Sequence, residues 1–196
     1  GRTRPHPTST PLAREAHMRR FLLSILTIAS LAVTATKTTA ADPENTVYMD
    51  LEDGRVVIEL RPDLAPQHVS RIKELARAGF YDGLTFHRVI EGFMAQGGDP
   101  SGNGTGGSGQ NIPAEFSPPN VAQHLRGTMS MARAQDPDSA DSQFFICFQP
   151  APFLDGKYTI WGQVVEGMEY VDNIKRGEPV RDPDHIVSMR IAADVD

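Results

Sequence analysis

Residues 85–99, TFHRVIEGFMAQGGD, set His87, Arg88, Gln96 and Asp99 among Phe86, Ile90, Phe93 and Met94. Two kinds of chemistry suit such a mixture. A histidine with an aspartate suggests acid–base hydrolysis, whereas an arginine among apolar side chains offers a permanent positive donor beside a surface that excludes water. Hydrolysis needs a nucleophile spaced for its base, and the chain has none. Ser130 lies in TMSMA, outside any G-x-S-x-G turn of the kind that exposes a catalytic serine. His68, His87, His124 and His185 form no i, i+4 helical pair and have no C-x-x-C neighbour, so the spacing supports no metal site. Cys147, the only cysteine, sits in the apolar run QFFICF. It reads as a small core residue and allows no intramolecular disulfide. The glycine-rich GNGTGG at 102–107 lacks the G-K-[S/T] ending of a phosphate-binding loop. It reads as a surface loop whose bare backbone can approach a ligand.

These residues need elements to hold them. On an extended strand Arg88 shares a face with Phe86 and Ile90, and His87, read as a hydrogen-bonded packing residue, faces the other way. Arg88 then has two readings: a donor working beside an apolar wall, or a side chain that snorkels to solvent or pairs with an acid. Met94 shares a face with Gln96, and Gln143 with Phe145, which leaves Phe144 and Ile146 for a core on the opposite side. Period-two patterns predict eight strands: TVYMDL, RVVIEL, TFHRVI, FMAQGG, TMSMAR, QFFICF, TIWGQV and HIVSMRIAAD. Eight strands are enough to close a compact barrel, and EDG between the first two predicts a hairpin. Two amphipathic helices are predicted to cover the barrel openings. APQHVSRIKELARAG is capped by Gly79, and GMEYVDNIKRG ends in Lys175, Arg176 and Gly177.

The 196 residues, 39% hydrophobic and 22% charged, suit one globular domain, and 17 glycines with 15 prolines favour a β-rich one. The first forty residues differ from the rest. Residues 1–17 have neither periodicity nor apolar content and read as a disordered leader or a start-site artefact. Residues 18–40 run from Met18-Arg19-Arg20 through FLLSILTIASLAV to the small-residue stretch TATKTTA, the order of a signal peptide cleaved near Ala40 or Ala41. The apolar run falls short of the roughly 20 residues of a bilayer span. Export to a bacterial periplasm is therefore expected, without stable membrane insertion after cleavage. Beyond residue 40 the chain carries 13 Lys and Arg against 24 Asp and Glu, a net charge of −11. Such a surface disfavours nucleic acid as a partner.

Five separated motifs, FHRVIEGFMAQGGD, GNGTGG, GTMSMARA, SQFFICF and FLDGKYTIWGQVVEGMEYVDNI, together resemble the cyclophilin family of peptidyl-prolyl cis-trans isomerases, in family order through most of residues 45–195. The resemblance implies a mainly β domain over 41–196, a closed eight-stranded antiparallel barrel capped by two helices, with a substrate groove on an outer face. It implies a cofactor-free isomerase in bacterial, exported form, acting as a monomer on proline-containing unfolded or partly folded polypeptides. By motif, Arg88 resembles the catalytic arginine, and Phe93, Met94, Phe145 and Leu154 the wall of the proline pocket. Gln96 and Gln143 resemble the polar groups beside it. Ala132 and Arg133 stand where family backbone clamps an extended peptide, and Gly104 where the loop meets residues before proline. Phe153 and Tyr158 stand where well-known members carry tryptophan and histidine, which implies weakened cyclosporin affinity. Arg133 replaces a frequent asparagine and implies a shift towards acidic peptides. The rival from another class is a non-catalytic proline-peptide-binding or chaperone module.

Overall fold

The computed structural model describes residues 41–195. The leader expected at 1–17 and the signal peptide expected at 18–40 lie outside the described residues. Eight strands and two helices follow in the order β1 (Thr46–Asp50), β2 (Arg55–Leu60), α1 (Pro66–Arg77), β3 (Arg88–Ile90), β4 (Met94–Gly97), β5 (Thr128–Met131), β6 (Phe144–Cys147), β7 (Ile160–Glu166), α2 (Met168–Asp172) and β8 (Ser188–Ile191). All pairings between these strands are antiparallel, and the spatial order is β3-β4-β6-β5-β7-β2-β1-β8. The predicted hairpin joins β1 to β2, with Leu51 and Gly54 exchanging backbone hydrogen bonds across the turn.

The sheet does not close. β3 and β8 are free edges of an open, curled half-barrel spanning 198°, which corrects the closed barrel expected from the strand count. The cause lies at the seam. β3 has three residues and β8 four, and irregular chain occupies the space between them. Val89 and Gly177 exchange two backbone bonds of 2.8 Å, and the Val180 N–H donates to the His87 carbonyl at 3.0 Å. Further back, the Phe86 N–H donates to Asp184 and the Ile186 N–H to Leu84. Edge groups of β3 that a closing strand would satisfy are thus satisfied by loop, which also shields that edge from other chains.

α1 ends as predicted. Ala78 caps it, Gly79 follows at φ +70°, and the N–H groups of Gly79 and Phe80 return to the carbonyls of Ala76 and Leu75. That is the six-residue loop-back in which a glycine relieves the left-handed position. α2 is shorter than predicted. It stops at Asp172, and Gly177 is not its cap but the partner of Val89. Arg176 still serves the helix end, since its Nη1 donates to the Asp172 and Ile174 carbonyls.

Alternation along β6 sends its side chains to two separate cores. Phe144 and Ile146 join the larger one, where the Phe144 ring meets Tyr81, Phe86 and Trp161 edge-on. Phe145 and Cys147 face the other way, into a smaller cluster with Met94, Ala151 and Leu154. Burial, then the charge of Asp155, pushes the Cys147 thiol up to about 12, so it stays protonated and serves packing. Arg88 does not share its face with Phe86 as expected. Strand geometry begins only at Arg88, so Phe86 turns into the larger core while Ile90 packs on the smaller one.

The N-terminus of α1 has no side-chain cap of its own. Glu115, distant in sequence, accepts from the N–H groups of Gln67 and His68 and from the His68 ring at 2.7 Å, and so ties α1 to the loop beyond GNGTGG. Burial holds the His68 imidazole below its usual range despite Glu115, and burial does the same for His124 despite Asp155. Both rings bind protons less readily in the folded chain, so the unfolded chain takes up more protons below about pH 6.5. Their stabilisation is complete above that pH and is lost as pH falls towards their folded values. The melting temperature should therefore drop between about pH 7.5 and pH 5, and drop less in His68→Gln, when followed by circular dichroism. An equal slope in the variant would remove His68 from the account.

Candidate active site

Strand register assembles the site. Arg88 on β3 is opposite Gln96 on β4, Gln96 is opposite Phe145 on β6, and Phe145 is opposite Ser130 on β5. Residues opposite one another in adjacent strands share a face, so one row across four strands carries a charge, an amide and an aromatic ring. Beside the row lies the smaller apolar cluster, with Ile90, Phe93, Ala132 and Tyr158 packed against it. Together they border an open cavity of about 1000 Å³. Every predicted site residue except Gln143 lines it: Arg88, Phe93, Met94, Gln96, Gly104, Ala132, Arg133, Phe145, Phe153, Leu154 and Tyr158. Gln143 stands one step back, at a neighbouring cavity of about 310 Å³ that Gln96 also borders.

Polar groups around the cavity are joined in a line. The Arg88 Nε donates to Glu178 at 2.8 Å and its Nη1 to the Gln96 carbonyl oxygen at 3.3 Å. Gln96 Nε2 donates to Gln143, and Gln143 Nε2 to the Gly106 carbonyl of the glycine-rich loop. Arg88 thus lines an apolar pocket and also pairs with an acid; the two readings of its sequence context coexist. Gly104 is placed by Asp99, whose buried carboxylate accepts from the N–H groups of Ser101, Asn103 and Gly104. Burial alone would raise that carboxyl, but these backbone donors and His87 outweigh it and hold it below the usual range. With φ at +93°, Gly104 occupies the region that suits glycine.

Aromatic rings form the far wall. Phe153, 61% exposed, leans on Phe93 with centroids 5.4 Å apart, and Tyr158 meets Phe145 edge-on at 5.9 Å. Arg133 lies 4.6 Å above the Tyr158 ring and donates to the carbonyls of Lys157, Ala134 and Gln135. These bonds lock its position, and because all the acceptors are neutral its charge has no acidic hydrogen-bond partner among the described residues. His87 also borders the cavity, which its place opposite Arg88 did not predict; its Nδ1 makes no hydrogen bond among the described residues, and burial lowers its basicity.

Sequence reasoning passed over two groups. Glu178 lies 90 residues from Arg88, and no local pattern links them; only the pairing of Gly177 with Val89 brings it there. Behind Phe145, His124 stacks on the ring at 6.0 Å, with Nδ1 at 2.9 Å from Asp155 and Nε2 at 2.8 Å from the Ser130 hydroxyl. The order of contacts imitates a hydrolase triad. Ser130 is nevertheless fully buried and His124 nearly so, which leaves a substrate carbonyl no approach to the hydroxyl. The trio supports the pocket floor instead. Among the described residues no group of three His, Cys, Asp or Glu side chains is placed to hold a metal ion.

Comparison with known proteins points to one family. Residues 46–193 match the family model described as cyclophilin type peptidyl-prolyl cis-trans isomerase/CLD. A probable peptidyl-prolyl cis-trans isomerase of Brucella suis is 50% identical over 193 residues, covering 89% of this chain and 97% of the relative. Peptidyl-prolyl cis-trans isomerase B of Bacillus subtilis is 46% identical over 138 residues, covering 70% and 95%. Among solved structures, a cyclophilin from Hirschia baltica superposes with a TM-score of 0.72 at 31% identity, covering 80% of this chain and 77% of its own. A Cryptosporidium parvum cyclophilin type isomerase, solved in the presence of the dipeptide Ala-Pro, gives 0.69 at 31% identity, covering 74% and 98%. A cavity that joins a fixed guanidinium to an apolar pocket, in a chain this similar over almost all its described residues, makes the protein a member of the cyclophilin-type peptidyl-prolyl cis-trans isomerases.

Proposed function

We propose that the protein accelerates X-Pro bond rotation during the folding of exported proteins, with Arg88 stabilising the twisted amide. The observation that carries this reading is the Arg88 guanidinium held at the edge of an apolar cavity by Glu178 and Gln96. An X-Pro bond turns in tens to hundreds of seconds because rotation breaks amide resonance. Near the twisted state the proline nitrogen regains a lone pair. A fixed N–H donor meets that nitrogen only when it is basic, so the contact favours the transition state over the planar ground states. Met94, Phe145 and Leu154 grip the ring while the loop at Gly104 and the backbone at Ala132 hold the preceding residues. No base, metal or covalent intermediate takes part.

Reducing tens of seconds to milliseconds needs about 5.5 to 7 kcal/mol. One charge-assisted hydrogen bond contributes roughly 1.5 to 3 kcal/mol. Desolvation and alignment of the peptide supply the rest. Substrates are proline-containing segments of unfolded or partly folded chains, a reading supported by the dipeptide present with the Cryptosporidium relative. Phe153 and Tyr158 at the rim weaken cyclosporin binding relative to members with tryptophan and histidine there. The order of residues 18–40 supports export to the periplasm.

A cis-to-trans assay on a short uncharged X-Pro peptide tests the activity. The domain should accelerate rotation, and Arg88→Ala should lose about a hundredfold or more in kcat/KM, the usual cost of removing one preorganised donor. A wild type without acceleration would favour the non-catalytic peptide-binding module; an unimpaired variant would refute the role of Arg88. Arg133 is tested separately. At low salt, Arg133→Asn should reduce the preference for acidic over neutral peptides about two- to fivefold, since a locked charge acts through its field. Equal ratios in the two proteins would sink that idea.

A further inference from the structure

We propose that Glu178 is a positioning residue for the isomerisation, a role that rests on the reading of Arg88 above. Its carboxylate holds the guanidinium by Nε while Gln96 holds Nη1, so the plane of the fork is set before a peptide arrives. The Nη2 donors make no hydrogen bond among the described residues and are left for the substrate. Two held nitrogens fix a planar group in orientation, whereas one contact of 3.3 Å leaves it free to swing.

Glu178 is presented by a built segment, not by a loose loop. Gly177 pairs both ways with Val89, and the Val180 N–H donates to His87, so residues 177–180 run along β3 with Glu178 facing Arg88. The segment is pinned at both ends. Arg176 donates to Glu91 and lies 4.3 Å above the Phe148 ring, and Val180 is buried. A Cβ at Gly177 would come within 2.7 Å of the Pro179 carbonyl oxygen, so this close pairing requires glycine. Glu178 and Pro179 both border the cavity with Arg88.

The pair itself adds little to stability. Its side chains are 41% and 57% exposed, and water screens such contacts. Its effect is on the fraction of time Arg88 spends in working geometry, and that fraction multiplies kcat.

Four proteins test this on an uncharged X-Pro peptide: wild type, Glu178→Ala, Glu178→Gln, and Glu178→Ala combined with Arg88→Ala. Glu178→Ala should lower kcat about three- to tenfold with little change in KM or melting temperature. Glu178→Gln, whose amide oxygen still accepts from Nε, should recover most of that loss. In the Arg88→Ala background, Glu178→Ala should have no further effect on the residual rate, because Glu178 acts only through Arg88. Wild-type kcat in Glu178→Ala, no recovery in Glu178→Gln, a matching loss of melting temperature, or an undiminished effect without Arg88 would each overturn the proposal. An inactive wild type would instead overturn the functional reading on which it rests.

Discussion

A guanidinium is a planar charge on a long, flexible stem, and keeping one beside an apolar pocket requires partners that hold it without consuming all its donors. Arg88 meets that demand through Glu178 on one side and Gln96 on the other. The line continues through Gln143 to the Gly106 carbonyl, so the glycine-rich loop, the chain just before β6, β4, β3 and the segment after α2 all converge on one side chain. Displacing any of them changes where the charge stands.

The open half-barrel fits this arrangement. A closed ladder would have put β8 against β3, whereas the seam instead admits residues 177–180 and with them Glu178. The sheet carries a core on each face, because strict alternation along β6 sends Phe144 and Ile146 to one side and Phe145 and Cys147 to the other. The larger core gives rigidity, and the smaller one is the pocket wall. Behind that wall His124, Asp155 and Ser130 form a buried polar set that fixes the Phe145 ring by stacking. Such a set is stabilising only when its members satisfy one another, as these do.

Much of this was legible in the sequence. Strand and helix periodicity located all eight strands and α1, and the hairpin at EDG followed from its turn residues. The separated motifs named pocket residues that the structure brings to one cavity. What remained hidden is non-local. Barrel closure depends on edge lengths and on what lies along the seam, and strand count carries neither. The face of Phe86 was misjudged because alternation holds only within a strand, and β3 starts two residues later. α2 was overextended because its basic tail and Gly177 resemble an ending, while Gly177 is spent on Val89. Glu178 and the contacts of His124 with Ser130 and Asp155 arise from pairings across the fold, which no window of sequence contains.

The central claim is that a fixed, planar donor, and not positive charge alone, turns the amide. Arg88→Lys separates the two, since lysine keeps the charge but presents a flexible point donor that cannot be held by Glu178 and Gln96 together. The measurement is kcat, by cis-to-trans assay on an uncharged X-Pro peptide. The account predicts a fall of about tenfold or more with KM little changed. Wild-type kcat in Arg88→Lys would contradict it.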